Sequence, residues 1–216
     1  MNESRLLIHA LSVVVLLFAQ PLLAADILPE ACRADCKSSF GDVLGTSPSG
    51  VPAYPNCNSS CVYMSPSRHN DTYTGIKWQC VEYARRWLLV NEGVVYGDVD
   101  YAIDIWDKIK HYRHVQWNED IPVTNYTNGS VIMPARGDLL IYAKVMFDGT
   151  GHVAVITGVN EKDGYVTVGE QNFRNLPWEN DYARKIPLIR RDDAFWLLDS
   201  YLIGWKRMLT AEKQKP

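Results

Sequence analysis

Cys80 is the residue of this sequence best suited to act as a nucleophile. It lies in the stretch KWQCVEYARRWL, residues 77–88, directly after Gln79. Apolar residues recur there at helical spacing, which predicts a helix that begins near Gln79 and has Gly93 as its C-cap. The N-terminus of a helix carries a partial positive charge that favours a thiolate. The competing interpretation is a small buried hydrophobic residue, the commonest role of an isolated cysteine.

A thiol nucleophile also needs a base, and histidine is the usual one. His152 differs from the other histidines because it follows Gly151 and opens an apolar, β-branched run. The next predicted strand alternates, so Glu170 and Asn172 extend the face of its apolar valines. Either side chain is suited to orient the His152 ring, as in a Cys-His-acid triad. The alternatives are a structural histidine and a solvated turn at the strand end.

The residue before the candidate nucleophile supplies a hydrogen-bond donor. The side-chain amide of Gln79 and the backbone N–H of Cys80 are predicted to donate to an oxyanion. The candidate catalytic residues are therefore Cys80, His152, Glu170, Gln79 and Asn172.

The elements that must position these residues follow an α+β pattern. Helices are predicted over about 79–93 and about 100–112 from their apolar spacing. Strands are predicted over 139–144, 152–159, 165–172 and 201–208, with residues 161–164 as a hairpin loop. Helices followed by an antiparallel sheet predict one α+β domain with one core.

The other four cysteines form two closely spaced pairs. Cys32 and Cys36, then Cys57 and Cys61, read as C-x3-C…C-x3-C. We expect two disulfides in an oxidising compartment, with all three connectivities open. A zinc site is the competing interpretation, and it is less favoured because no histidine lies within the cluster.

The N-terminus predicts export. Residues 6–23 are mostly apolar and small residues follow, as in a secretory signal peptide over residues 1–25. An uncleaved signal anchor at the cell surface is the alternative. We expect a secreted or endolysosomal protein with no stable membrane span after cleavage. A weaker indication of a glycosylating route comes from four sequons, at Asn58, Asn70, Asn125 and Asn128.

The length of the chain indicates a single domain, and its net charge argues against a nucleic-acid-binding or membrane-binding protein. The chain has 216 residues, enough for one medium domain with a core. Its net charge of −3 predicts no strong attraction to nucleic acid or to anionic membranes.

Several motifs together resemble one family. YTGIKWQCVEYARRWLLVNEGVVYGDV, MPARGDLLIYAK, GHVAVITGV, VGEQN and LIGW follow one another along the chain. They resemble a CHAP-type amidase domain of the papain-like, NlpC/P60-like cysteine peptidases. The likeness is strongest to the amidase half of glutathionylspermidine synthetase/amidase and to secreted D-alanyl-glycyl endopeptidase-like proteins.

The resemblance implies roles for the candidate residues. It makes Cys80 the nucleophile, His152 the base and Glu170 the orienting acid, with Gln79 and Asn172 around the oxyanion and the triad. It implies a papain-like fold with N-terminal helices packed on an antiparallel sheet. The resemblance covers roughly residues 40–208. The cysteine pairs and loop residues predict a disulfide-stapled segment over 26–61, and the catalytic domain is expected over 62–216. No cofactor is expected, neither ATP nor a metal ion.

The predicted function is that of a secreted cysteine endopeptidase or amidase, and two alternatives remain open. Export favours peptidoglycan of the D-alanyl-glycyl type, cleaved through a thioester, and this substrate is the first expectation. Sequence likeness favours a glutathionyl-polyamine conjugate. The third possibility is a non-enzymatic module that binds cell wall or glycan.

Overall fold

The structure, a computed structural model, describes residues 27–145 and 149–209. The predicted signal peptide over residues 1–25 lies outside the described residues. Within the two described ranges, no helix is long and apolar enough to cross a membrane.

The helix predicted after Gln79 is present and has Cys80 as its first residue. Helix α1 spans Cys80–Glu92, and Gln79 is its N-cap in an extended conformation. The helix ends at Gly93, whose φ of 67° is a left-handed conformation that glycine adopts without steric cost. The apolar residues that α1 buries are Cys80, Tyr83, Ala84, Trp87 and Leu88.

The second predicted helix is wrong over most of its length. The interval 100–112 contains the single-turn helix α2, Asp104–Lys108, and then the beginning of a strand at His111. Tyr112 is fully buried and pairs with Ile121 across a hairpin. Apolar residues three apart fit a helix, but pairing with the next strand decides the conformation here.

The described residues form thirteen strands after a short 3-10 helix at Glu30–Cys32. The strands are β1 (Gly45–Thr46), β2 (Pro52–Ala53), β3 (Pro66–His69), β4 (Thr72–Ile76), β5 (Val94–Val95), β6 (His111–His114), β7 (Glu119–Thr127), β8 (Leu139–Tyr142), β9 (His152–Asn160), β10 (Tyr165–Gly169), β11 (Arg184–Arg191), β12 (Ala194–Leu197) and β13 (Leu202–Met208). The four predicted strands correspond to β8, β9, β10 and β13, and residues 161–164 join β9 to β10 as predicted.

Nine strands form one antiparallel sheet in the order β12-β11-β10-β9-β8-β13-β7-β6-β5. The C-terminal strand β13 lies between β8 and β7. Just past β7, Ser130 pairs with Phe195 of the edge strand β12. The side chain of Asn128 also hydrogen-bonds to the backbone of Leu197, as donor and as acceptor. The part of the sheet between β12 and β7 therefore curves until its two ends meet.

The sheet buries side chains on both faces. Leu139 and Ile141 of β8 pack in one cluster with helix α1. Leu140 and Tyr142 of the same strand pack in a second cluster with Trp205. Burial on both faces explains why β8 reads as a continuous apolar run and not as an alternating one. Each fully buried leucine contributes about 1.5–3 kcal/mol to stability.

The predicted fold class is confirmed in its coarse form, because the described residues form an α+β domain dominated by a large antiparallel sheet. The expected group of N-terminal helices is not present as predicted. Helix α1 has 13 residues, whereas α2 has 5. The described residues also contain two buried clusters where one core was expected.

The N-terminal segment packs against the same core as helix α1. Leu44, Val51 and Ala53 belong to the α1 cluster. Two disulfides hold the segment, and of the three connectivities the structure has Cys32–Cys61 and Cys36–Cys57. Since all four sulfurs are paired, none of them is a thiolate for the zinc site that the sequence left open.

Candidate active site

Cys80 lies where the extended chain enters helix α1. It is 8% exposed and is the free cysteine of the described residues. The N–H groups in the first turn of a helix lack intrahelical partners, and their partial positive charge stabilises a thiolate there. Cys80 also lines an open cleft, so the thiol is accessible to a substrate.

His152 and Glu170 come together through the β9–β10 hairpin. His152 is the first residue of β9, and Glu170 directly follows β10. The register pairs Gly169 with Val155, which brings the end of β10 alongside the beginning of β9. Nε2 of His152 lies 2.9 Å from Oε2 of Glu170, and both side chains are buried. An ionised carboxylate only accepts hydrogen bonds, so the Nε2–H group donates to it.

The Cys80 thiol reaches the same imidazole ring. Burial lowers the pKa of His152, but hydrogen bonds to Cys80 and to Glu170 outweigh burial and raise this pKa above its ordinary value. The protonated ring is stabilised because it lies between a sulfur and a carboxylate. The three side chains, distant along the chain, therefore form one contiguous group.

Glu170 is ionised at neutral pH. Burial alone raises its pKa, but the hydrogen bond from His152 and the charge of Arg184 outweigh burial and lower the pKa well below its ordinary value. Nε of Arg184 donates to Oε1 of Glu170 over 2.7 Å. Arg184 begins strand β11, and neither this residue nor its strand was predicted from the sequence.

Gln79 and Asn172 are bonded to each other beside Cys80. Nδ2 of Asn172 donates to Oε1 of Gln79 over 2.6 Å. Nε2 of Gln79 donates to the carbonyl oxygen of Cys61 over 3.2 Å, which uses one of its two N–H groups. Of the two residues proposed to orient the His152 ring, Glu170 thus takes that place and Asn172 orients Gln79.

The strand alternation used to place Asn172 ends earlier than predicted. Strand β10 stops at Gly169, and its pairing with β9 shifts register between Thr167 and Val168. Asn172 has a φ of 56°, a left-handed conformation in which asparagine is enriched. The chain therefore turns at Asn172, which directs this residue toward Gln79.

Gln171 was missed because the alternating pattern assigned it to the opposite face from Glu170. It is buried, and its Nε2 donates to the carbonyl oxygen of Gln79 over 3.0 Å and to Oε2 of Glu82 over 3.0 Å. Its Oε1 accepts a hydrogen bond from Arg86 over 3.1 Å. Gln171 therefore attaches the end of β10 to the first turns of α1.

The arginine pair of α1 is buried, although arginine is usually an exposed residue. Arg85 is 1% exposed and Arg86 is 5% exposed. Arg86 donates to both oxygens of the fully buried Glu82, over 2.7 and 3.1 Å. A bidentate pair of this kind tolerates burial because each charge is compensated.

The cleft beside Cys80 has a volume of about 490 Å³. Its lining includes the exposed Val62 and Met64, which follow the disulfide-bonded Cys61. Asp98 and Asp100 also line the cleft. Asp98 bonds to Arg85 through Oδ1 over 3.1 Å, and its side chain is 68% exposed. The lining of the cleft therefore combines apolar and acidic side chains, and it also includes Gln79, Asn172, Tyr73 and Tyr101.

The four sequon asparagines differ in how their amides are used. Asn70 is exposed, with a φ of 45°, in the turn between β3 and β4. The side-chain Nδ2 atoms of Asn58, Asn125 and Asn128 each donate to backbone carbonyl oxygens. A glycan is attached to this nitrogen, and Asn70 is the one residue of the four that is exposed, so it is the most accessible acceptor.

Two known proteins are similar in sequence to this chain over most of its length. The chain is 34% identical over 178 residues to trypanothione synthetase of Crithidia fasciculata, which covers 82% of this chain and 27% of that protein. It is 34% identical over 183 residues to the bifunctional glutathionylspermidine synthetase/amidase of Escherichia coli (strain K12). That match covers 77% of this chain and 29% of the relative, so the chain spans less than a third of either protein.

The matched family is the one that the motifs indicated. Residues 70–172 match the family model of the CHAP domain. This interval contains every candidate catalytic residue, from Gln79 to Asn172. The chain therefore carries a CHAP domain, which confirms the family resemblance of its sequence.

Proposed function

We propose that this chain is a cysteine amidohydrolase with a papain-like triad of Cys80, His152 and Glu170. The observation that carries the proposal is the contact from the Cys80 thiol to the His152 ring and on to Glu170, with 2.9 Å between Nε2 and Oε2. A triad is recognised by such roles and contacts and not by the order of its residues in the chain.

The proposed reaction is acyl transfer to sulfur. Nε2–H of His152 donates to Glu170, so Nδ1 is the ring nitrogen that takes the thiol proton. The Cys80 thiolate attacks an amide carbonyl, and the His152 imidazolium then protonates the departing amine. Water hydrolyses the thioester and restores the thiol. The oxyanion accepts hydrogen bonds from the Cys80 N–H and from the second N–H group of the Gln79 amide.

The preferred substrate is an amide with a cationic amine as leaving group, of the glutathionylspermidine type. Asp98 and Asp100 in the cleft wall attract positive charge beside the attacked bond. The relative from Escherichia coli whose name includes glutathionylspermidine synthetase/amidase supports this substrate class.

A peptidoglycan endopeptidase of the D-alanyl-glycyl type is the second candidate. The two disulfides are consistent with a secreted protein, and an exported enzyme meets cell wall before it meets cytosolic polyamine conjugates. The same triad serves both reactions, because either substrate presents an amide carbonyl. A non-enzymatic wall- or glycan-binding module is the third possibility.

The domain assignment follows from the same proposal. Residues 62–216 form the catalytic domain, and residues 26–61 form a stapled segment next to its cleft. The protein acts in a secreted or endolysosomal compartment after its signal peptide is removed.

The test is a comparison of the two substrates. Purified protein is incubated with glutathionylspermidine and, separately, with defined peptidoglycan fragments, and products are identified by mass spectrometry. We expect release of spermidine by the wild type and none by Cys80→Ala. Cleavage of the peptidoglycan fragments alone would support the second candidate. Hydrolysis that persists in Cys80→Ala would contradict the triad.

Substitution of Asp100 tests whether the acidic residues of the cleft bind a cationic leaving group. Asp100→Asn is expected to raise KM for glutathionylspermidine severalfold with little change in kcat, because one attractive charge is lost. Asp193→Asn is the matched control, since Asp193 is 86% exposed and is not among the residues that line this cleft. Equal KM values for both variants would argue against a cationic leaving group.

A further inference from the structure

Two further charged residues, Arg184 and Asp199, extend the His152–Glu170 pair. Nε of Arg184 donates to Oε1 of Glu170 over 2.7 Å. Nη1 of the same guanidinium donates to Oδ2 of Asp199 over 2.5 Å, and Nη2 donates to the hydroxyl of Tyr142 over 2.9 Å. Arg184 is largely buried, with a side-chain exposure of 16%. All three nitrogens of its guanidinium are therefore engaged, by Glu170, Asp199 and Tyr142.

The two oxygens of Glu170 differ in their shortest contacts. Oε2 accepts from Nε2 of His152 over 2.9 Å and from Nη2 of Arg184 over 3.4 Å, whereas Oε1 accepts from Nε of Arg184 over 2.7 Å. A planar guanidinium bonded at three nitrogens is fixed in orientation and in turn fixes the plane of the carboxylate. The direction of Oε2 toward the His152 ring thus depends on how Oε1 is held.

We propose that Arg184 is a positioning residue for the triad, which holds the carboxylate of Glu170 so that it keeps the His152 ring facing Cys80. This inference rests on the proposed function. Arg184 acts through Glu170 and is not assigned a contact with the substrate.

The contacts of Phe173 also support a positioning role for Arg184. Its ring lies 5.4 Å from the His152 ring and 4.7 Å from the guanidinium carbon of Arg184. The aromatic ring therefore packs against both the base and the positioning residue. A cation over an aromatic face is stabilised further where water is excluded.

A neighbouring cavity gives water a route to Glu170 if the guanidinium is removed. The cavity has a volume of about 420 Å³ and is lined by Glu170, Phe173 and Arg184. Without Arg184, water from this cavity bonds to Oε1 and the carboxylate is free to rotate. The expected effect is on kcat, because the base loses its alignment while the substrate cleft on the Cys80 side is unchanged.

The charge of Arg184 also affects the pH dependence. Ionisable side chains face Glu170 from four elements: His152 of β9, Arg184 of β11, Tyr142 of β8 and Tyr83 of α1. The two tyrosines keep their protons throughout the assay range because burial raises their pKa. Cys80 bonds to the far side of His152, and Asp199 bonds to the far side of Arg184. Loss of the guanidinium raises the pKa of Glu170, so activity on the acid side is lost at a higher pH.

The variants are Arg184→Met, which removes the charge, and Arg184→Lys, which keeps the charge but lacks the planar guanidinium. The matched control is Arg207→Met. Arg207 is 11% exposed and donates from Nε and Nη2 to Asp138 over 2.8 and 2.6 Å. It is thus an arginine of similar burial in an ion pair outside the site. Thermal unfolding measures the stability of all three variants.

Two readouts are measured against pH: kcat and KM for the hydrolysed amide, and the rate at which iodoacetamide alkylates Cys80. For Arg184→Met we expect kcat to fall roughly ten- to hundredfold with KM within about twofold. The acid limbs of both profiles should move to higher pH. Arg184→Lys should restore most of the acid limb, and Arg207→Met should lose stability with unchanged profiles.

The possible results separate the inference from the proposed function. If the wild type hydrolyses the amide and Arg184→Met matches it in kcat and in both acid limbs, the positioning role is wrong. It is also wrong if Arg184→Met and Arg207→Met lower kcat equally with unshifted profiles. If the wild type neither hydrolyses an amide nor shows a reactive thiol below neutral pH, the triad itself fails. If Arg184→Met does not fold, the kcat of Arg184→Lys is the deciding measurement. A normal kcat in this variant, which lacks the planar guanidinium, would contradict the inference.

Discussion

Asn172 donates a 2.6 Å hydrogen bond to the side-chain oxygen of Gln79, the residue that directly precedes Cys80. This contact orients the Gln79 amide so that its nitrogen points away from Asn172. The nitrogen contacts the carbonyl oxygen of Cys61 and is the proposed donor to an oxyanion. Two separate parts of the chain, at Cys61 and at Asn172, thus orient one side chain.

Asn172→Asp tests this orientation. An ionised aspartate cannot donate to the Gln79 oxygen, so we expect the amide to flip and its nitrogen to leave the oxyanion position. Loss of one such donor lowers kcat by about 100- to 1,000-fold. Steady-state kinetics measure this effect, and KM should change little.

Asn175→Asp is the matched control for this change. Asn175 also has a positive φ, 54°, and its Oδ1 accepts from the backbone N–H of Asn56 over 3.2 Å. Aspartate preserves that acceptor, so kcat should remain close to that of the wild type. A similar loss of kcat in both variants would mean that added negative charge, and not the orientation of Gln79, is responsible.

The pKa of His152 predicts a specific pH dependence of stability. Burial lowers this pKa, but the contacts with Cys80 and Glu170 raise it from 6.5 to about 9. The protonated ring therefore stabilises the fold fully below pH 6.5, and the contribution is lost as pH rises to about 9. Urea unfolding of the wild type and of His152→Gln, measured across this range, should give a difference in unfolding free energy that shrinks by roughly 3 kcal/mol.

The difference between these two proteins isolates His152 from other titrating groups. Burial lowers the pKa of Lys206 to about 8, which gives a slope of opposite sign in both proteins. That slope cancels in the subtraction. A difference that stays constant from pH 6 to pH 9 would show that the ring is not held as an imidazolium.

The two disulfides are expected to differ in their effect on catalysis. Their sequence separations are 29 residues for Cys32–Cys61 and 21 residues for Cys36–Cys57, so loss of either costs a similar stability, about 3–4 kcal/mol. The Cys61 carbonyl, however, accepts the hydrogen bond from Gln79. Cys32→Ser with Cys61→Ser should therefore lower kcat more than Cys36→Ser with Cys57→Ser. Activity at a temperature where both double variants are folded measures this, and equal values of kcat would contradict it.

Glycosylation is expected at Asn70 before the other three sequons. Its side chain is exposed in a turn, whereas the amides of Asn58, Asn125 and Asn128 donate to backbone carbonyls. When the protein is expressed in a glycosylating host, Asn70→Gln should remove a mobility shift that an endoglycosidase also removes. Asn128→Gln is the control, and it should leave the shift unchanged. Loss of the shift in Asn128→Gln alone would contradict this assignment.

Part of the site could be predicted because the signals are local. Helix α1 follows from its apolar spacing and ends at a glycine, so the position of Cys80 at its first turn was accessible from the sequence. The β9–β10 hairpin also follows from two β-rich runs with a short loop between them. His152 and Glu170 lie at the two open ends of that hairpin, which is why both were identified.

The remaining elements could not be predicted because their contacts are not local. Strand β11 carries polar residues on its exposed face, and strand β12 has four residues, so the signal of each is weak without a partner strand. Residues His111–His114 become a strand only because they pair with Glu119–Pro122. Arg85 and Arg86 resemble exposed helix residues, yet they are buried with charged or carbonyl partners.

The sequence by itself determined the family of this protein and the candidates for its thiol, base and acid, since motif spacing and hairpin periodicity are properties of neighbouring residues. Only the tertiary structure decided that Asn172 orients Gln79, that Cys61 contacts the same amide, and that Arg184 lies behind Glu170. The physical reason is that each contact joins segments whose distance depends on the order of strands in the sheet. That order follows from burial on both faces and from the insertion of β13 between β8 and β7, which no local pattern encodes.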